Sequence, residues 1–204
     1  MYRFFVVVLA FIIRIVNGKR YEEISPEYDE KQTYLVIAPH RSMLDPIFLA
    51  MTLSPRQIHF IAKQELLQLP VIGWLIRHVG VIPVNREKPS RKTMKTSLNY
   101  LKNQELVGIF PTGSRFSDEM KAGYLMLAQL GRVPILPVVY QGPIAIKDLF
   151  SWKKEKRVAV KVGAPIKLPD KRRLTAEDEA AITEKVERTF EELEAKMSVW
   201  RQAD

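Results

Sequence analysis

His40 and Asp45 stand five positions apart in Pro39-His40-Arg41-Ser42-Met43-Leu44-Asp45, just after the apolar run Tyr34-Leu35-Val36-Ile37-Ala38. A histidine whose Nδ1–H is held by a carboxylate presents Nε2 as an acceptor, and such a base takes a proton from a hydroxyl. Two more segments put an arginine just after an apolar stretch. They are Gly80-Val81-Ile82-Pro83-Val84-Asn85-Arg86 and Phe110-Pro111-Thr112-Gly113-Ser114-Arg115. A guanidinium fork matches two phosphate oxygens and stays charged at any relevant pH. A base accompanied by phosphate-holding cations points to chemistry on a phosphorylated alcohol.

Spacing limits how the pair can meet. Five positions along one helix turn a side chain through about 500°, a net of about 140°, so two such residues on a helix face apart. His40 and Asp45 meet only if His40 sits in a loop and Asp45 at a helix start. The sequence provides this. Residues 34–38 read as a buried strand, and Asp45-Pro46 as the N-cap and first residue of a helix over 47–53. If capping takes one Asp45 oxygen, the other remains for His40.

The same pattern continues along the chain. Strands are expected at 58–62, at 80–84 with Pro83 marking an edge or an end, at 106–110 interrupted by Gly108, at 134–140 and at 157–162. Helices are expected at 72–78, at 91–102 behind a Ser90 cap, and at 124–130 after Gly123. Thr175 and Asp178 form a capping box for a long last helix. Its stripe Ile182, Val186, Phe190, Leu193, Met197 is a packing face. Strands alternating with helices specify a single-domain α/β sandwich, with a mixed, mainly parallel sheet flanked by helices.

Composition narrows the partners. A chain of 204 residues with 47% hydrophobic content forms one domain. It has no cysteine, and His40, His59 and His78 lack metal-ligand spacing, so no metal site is expected. A net charge of +9 attracts polyanions. Nucleic acid is not the expected partner, because the chain carries no zinc-finger or RNA-recognition signature. Anionic membrane lipid or an acidic protein fits better.

Residues 4–13 are wholly apolar, with Arg3, Arg14, Lys19 and Arg20 around them. The run is shorter than the about 20 residues needed to span a bilayer, and no small-residue cleavage site follows it. Residues 1–20 are therefore expected to be a membrane-docking helix lying in one leaflet, ahead of a domain over 21–204. That places the protein on the cytoplasmic face of the membrane, as a peripheral or monotopic protein. The alternative is a helix packed in the protein's own core. Trp74, Trp152 and Trp200 serve either as interfacial anchors or as core residues.

The ordered blocks His40-Arg41-Ser42-x-x-Asp45, Gly80 to Arg86, Phe110 to Arg115, and Val133-Pro134-Ile135-Leu136-Pro137-Val138 resemble those of the glycerolipid acyltransferase family. Lys63, Glu65, Leu66, Pro70 and Gly73 also match between the first two blocks, and Lys121-Ala122-Gly123 after the third. The match covers residues 34–165, and the closest type is the bacterial 1-acylglycerol-3-phosphate acyltransferase. The resemblance implies transfer of a fatty acyl group from an acyl carrier protein or coenzyme A thioester to a lysophospholipid acceptor, the sn-2 hydroxyl of 1-acylglycerol 3-phosphate. It implies no cofactor, with His40 as general base and Asp45 as its orienting partner. Arg86 and Arg115 would bind the acceptor phosphate, with Lys63 as a further cation. Ser42, Thr112, Gly113 and Ser114 support the motifs, and Gly113 lets backbone N–H groups approach an anion.

The chain departs from the family pattern at four positions. Pro39 replaces Asn, Pro83 replaces Phe, Thr112 replaces Glu and Ser114 replaces Thr. Thr112 can hydrogen-bond but carries no charge. Two other readings therefore stay open: a related acyltransferase with a different acceptor, and a non-catalytic basic protein that binds anionic lipid. A serine hydrolase is remote, since Thr112-Gly113-Ser114-Arg115-Phe116 is not G-x-S-x-G.

Overall fold

The run at 34–38 is apolar throughout because both of its faces are covered. A computed structural model describes residues 2–68, 80–85, 90–112, 120 and 123–202. There Tyr34, Val36 and Ala38 face one core layer, while Leu35 and Ile37 face the other. The strand itself is β2, Leu35–Ile37. It lies centrally in a seven-stranded sheet.

In chain order the described elements are α1 (Tyr2–Asn17), β1 (Tyr21–Ile24), β2, α2 (Asp45–Thr52), β3 (Ile58–Lys63), β4 (Ile82–Val84), α3 (Arg91–Lys102), β5 (Leu106–Ile109), α4 (Gly123–Gly131), β6 (Ile135–Gln141), β7 (Ala159–Val162) and α5 (Ala176–Gln202). The strand order is β1-β7-β6-β2-β5-β3-β4. The five strands from β6 to β4 run parallel; β7 is antiparallel to β6, and β1 follows β7. This is the expected mixed, mainly parallel sheet. The α1–α2 layer covers one face, through Val6, Ile13, Phe48 and Leu49. Helices α3, α4 and α5 cover the other, and the α5 stripe Ile182, Val186, Phe190, Leu193, Met197 is buried as its spacing requires.

Local signals place the helix ends well. Ser90 Oγ accepts from Thr93 N at 3.3 Å and caps α3. Thr175 and Asp178 make the reciprocal capping box of α5: Asp178 N donates to Thr175 Oγ1 at 3.2 Å, and Thr175 N to Asp178 Oδ2 at 3.0 Å. The Thr175 amide, then Lys171, hold the Asp178 carboxyl at about 2. A depressed carboxyl contributes stability above its ordinary pKa and loses it as pH falls. This contribution is expected to be complete above about pH 4 and to vanish towards pH 2. Asp178→Asn should flatten that part of the acid-unfolding curve, followed by circular dichroism.

One strand expectation needs correction. Gly108 does not interrupt β5, which is continuous. A Cβ there would lie 2.5 Å from Phe60 Cδ1 and 2.8 Å from Ile58 Cγ2, so glycine makes room for the Phe60 ring. Gly108→Ala should lower stability by about 1–3 kcal/mol through overpacking, read by thermal unfolding.

The edge strand β1 has no counterpart in the sequence reading. Its pattern Tyr21-Glu22-Glu23-Ile24 lacks apolar alternation. It is held by pairing with β7, where Lys161 Nζ meets Glu23 at 2.6 Å. Edge pairing of this kind leaves little trace in a hydrophobicity pattern.

Helix α1 packs one face on the core, as the second of the two readings expects, and leaves the other face exposed. Val6 and Ile13 are buried, and Tyr2, Leu9 and Ala10 pack on the core. Phe4, Val7, Val8, Phe11, Ile12 and Ile15 point outward. Among the described residues no helix is long and apolar enough to cross a membrane. The helix expected at 72–78, with Trp74 and His78, lies outside the described residues.

Candidate active site

Asp45 organises the loop between β2 and α2. It is the first residue of α2, and Leu44 is the N-cap. The carboxylate does not cap its own helix, contrary to expectation; it reaches back along the chain. One oxygen, Oδ2, accepts from Arg41 N at 2.8 Å and Ser42 N at 2.9 Å, and lies 3.0 Å from His40 Nδ1. Asp45 is fully buried. The other oxygen, Oδ1, is buried with no hydrogen-bond partner among the described residues. A buried carboxylate fed by three donors curls the loop and fixes the imidazole tautomer: Nδ1 carries the proton and Nε2 the lone pair.

The His40 ring is held on its face as well. It stacks on Phe110 with centroids 4.3 Å apart and planes 28° apart. Phe110 in turn stacks on Phe60, the ring that Gly108 accommodates. The His40 side chain remains 17% exposed. Nε2 has no protein partner among the described residues and is available to a substrate.

Two further ties anchor the loop. Ser42, fully buried, donates Oγ–H to the Ile144 carbonyl at 2.9 Å, with Pro143 O at 3.2 Å, and accepts from Leu44 N at 3.0 Å. Arg41 pairs with Glu194 of α5, its Nη2 lying 2.6 Å from Oε1 and 2.8 Å from Oε2. Burial raises the Glu194 carboxyl, and Arg41 opposes that shift. The roles of Phe110 and Glu194 escaped the sequence reading. Phe110 directly precedes Pro111-Thr112 in the third motif block, which is the one signal that marks it; Glu194 has none, because its partner lies 153 residues away.

The remaining site residues fall in two groups. Lys63 ends β3 on the same carboxyl edge as His40, half exposed, with Nζ 3.8 Å from Glu65 Oε1. Thr112 follows β5, which neighbours β2, and is partly exposed. Because β4 and β5 run parallel to β2 through the sheet, Val84 and Ile109 end at that edge too. Arg86, Gly113, Ser114 and Arg115 lie outside the described residues, as do Lys121 and Ala122.

His59 is structural. It is buried, with Nδ1 2.8 Å from Gly80 O and Nε2 2.6 Å from Glu105, and stacks on Tyr100. Among the described residues no cluster of three histidines or carboxylates is placed to hold a metal. An open cleft of about 730 Å³, lined by Gln32, Arg132, Lys167 and Arg172 among others, sits at the opposite, amino edge of β2 and does not touch His40.

A buried carboxylate beside a partly open imidazole, at the carboxyl edge of a mainly parallel α/β sheet, is an arrangement suited to general-base chemistry. Comparison gives the family. The acyltransferase family model matches residues 16–141, and the chain belongs to that family. It is 35% identical to the 1-acyl-sn-glycerol-3-phosphate acyltransferase of Bacillus subtilis, over 97% of this chain and 98% of that one. It is 32% identical to the enzyme of the same name from Streptococcus pneumoniae, over 94% of this chain and 72% of that one. Among solved structures, the Thermotoga maritima 1-acyl-sn-glycerophosphate acyltransferase PlsC superposes with a TM-score of 0.63. That match covers 95% of this chain and 89% of the other at 22% identity, a likeness of fold.

Proposed function

We propose that this acyltransferase moves a fatty acyl group from an acyl carrier protein or coenzyme A thioester to the sn-2 hydroxyl of 1-acylglycerol 3-phosphate, giving phosphatidic acid. The observation that carries the reading is the His40 Nδ1–Asp45 Oδ2 contact of 3.0 Å, with Nε2 left for a substrate. Nε2 takes the hydroxyl proton as the alcohol oxygen attacks the thioester carbonyl. The tetrahedral intermediate then expels the thiolate, and the imidazolium returns the proton to that sulfur. Asp45 stabilises the imidazolium between these steps. The thioester is already activated, so neither a covalent enzyme intermediate nor a cofactor is required.

Arg86 and Arg115 bind the acceptor phosphate in this scheme, with Lys63 at the same edge. Gly113 would let backbone N–H groups approach the anion, Thr112 would hydrogen-bond in place of the family's Glu, and Ser114 supports the motif. Residues 1–20 seat the enzyme on anionic lipid at the cytoplasmic face of the membrane, and 21–204 carry the chemistry. A positive surface speeds encounter with acyl carrier protein or coenzyme A, both of them anionic.

Thr112 favours one competing reading, an acceptor other than 1-acylglycerol 3-phosphate. A mass-spectrometric assay of purified protein settles it, using each thioester donor against a panel of phosphorylated and unphosphorylated acceptors. Preference for 1-acylglycerol 3-phosphate supports the proposal. Preference for an acceptor without phosphate removes the role given to the arginines. Arg115→Ala should raise KM for the phosphorylated acceptor about 10–100-fold, the effect of losing a charge-assisted contact.

A further inference from the structure

The excursion between β6 and β7, residues 142–158, carries an apolar display that the transferase site does not use. Ile144, Ile146, Phe150 and Trp152 are each more than 60% exposed. Their backbone is not loose. A 3₁₀ turn spans Ile146–Phe150, and Leu149 packs against the core while its neighbours project outward. Buried Asn17, at the end of α1, donates Nδ2–H to Ser151 O and Lys156 O at 3.0 Å each and accepts from Val158 N at 3.0 Å. The excursion is thereby tied to α1, whose outer face shows Phe4, Val7, Phe11, Ile12 and Ile15. A buried polar clamp thus joins two surfaces of exposed large apolar side chains, the kind of display that marks an interaction site.

Charge identifies the occupant. Lys147 and Lys153 are exposed within the excursion, and Arg14 and Lys19 are exposed at the end of α1. Apolar side chains interleaved with cations match a bilayer with anionic headgroups, where rings and aliphatic chains enter the acyl boundary and cations stay at the phosphates. A second protein copy offers no such match, since it carries the same +9 charge.

We propose that residues 144–153 and the outer face of α1 form one continuous surface that docks on an anionic phospholipid bilayer. The inference rests on the lysophospholipid reading above and extends its membrane contact beyond residues 1–20. The surface adjoins the chemistry: the Ile144 carbonyl accepts the Ser42 hydroxyl from the His40 loop, in which Met43 is exposed. Docking therefore sets the base at the headgroup level, where a membrane-borne acceptor carries its hydroxyl.

The test compares full-length protein with the Ile146→Asp/Phe150→Asp variant and a milder Ile146→Ser/Phe150→Ser variant. Flotation uses vesicles of phosphatidylglycerol with phosphatidylcholine, and vesicles of phosphatidylcholine alone. Activity is measured with 1-acylglycerol 3-phosphate in vesicles and with a short-chain analogue in free solution; circular dichroism checks the fold. The aspartate variant should bind anionic vesicles at least about 10-fold more weakly and lose vesicle-borne turnover to match, with short-chain turnover held within about twofold. Lys147→Gln with Lys153→Gln should reduce the preference for anionic vesicles. Wild-type vesicle binding by the folded serine and aspartate variants overturns the docking surface. So does a wild-type dimer that either variant converts to monomer while vesicle binding persists. Absence of acyl transfer to the short-chain acceptor by wild type instead defeats the function reading, and leaves the vesicle result to stand by itself.

Discussion

Acyl transfer by His40→Ala is expected to fall by about 10²–10⁴-fold in kcat, with the protein still folded. The change removes the ring nitrogen that takes the hydroxyl proton. It leaves two of the three contacts to Asp45 Oδ2 in place, from the Arg41 and Ser42 amides. The loop therefore keeps its course. What is lost structurally is one partly exposed ring stacked on Phe110, about 0.5–1.5 kcal/mol beyond its burial. Single-turnover kinetics with either thioester donor, beside a thermal melt, measures both sides. Retention of more than a tenth of wild-type turnover would exclude His40 as the base.

Asp45 should be the most sensitive position in the site, and two substitutions separate its roles. Asp45→Ala removes the acceptor of two backbone amides, one of them on the fully buried Ser42. A buried donor left without a partner costs about 1–3 kcal/mol, so a loss of about 2–5 kcal/mol is expected together with loss of activity. Asp45→Asn keeps an oxygen for those amides but removes the charge that stabilises the imidazolium. It also puts an N–H₂ near the buried Oδ1 position, which has no partner among the described residues. A smaller loss of stability is expected, with kcat falling about 100-fold or more and KM for the acceptor nearly unchanged. Full turnover by a folded Asp45→Asn variant would reduce the carboxylate to a structural support.

Local chemistry made much of this protein legible in its amino-acid order. The His40–Asp45 pairing follows from a strand, a short loop and a helix start, which leave the two side chains little choice but to meet. Ser90, and Thr175 with Asp178, mark helix starts because capping involves residues three apart. The α5 stripe shows its buried face through a spacing of three and four. Four motif blocks in fixed order point to the family that comparison then shows.

What the tertiary structure alone decided lies in contacts distant along the chain. No local pattern tells that β1 pairs with β7, or that Lys161 meets Glu23. Gly108 looked like a break; it is a space for Phe60, which supports Phe110 beneath the base. Ser42 is anchored about a hundred residues away, and Arg41 still farther, on α5. Within the apolar run 4–13 of α1 residue type alone does not choose an inward face, so packing against α2 and the sheet buries Val6 and Ile13 and leaves Phe4, Val7, Phe11 and Ile12 outward. Residue order sets propensities within a few positions of each group. Which distant surfaces meet depends on burying both faces of one sheet at once.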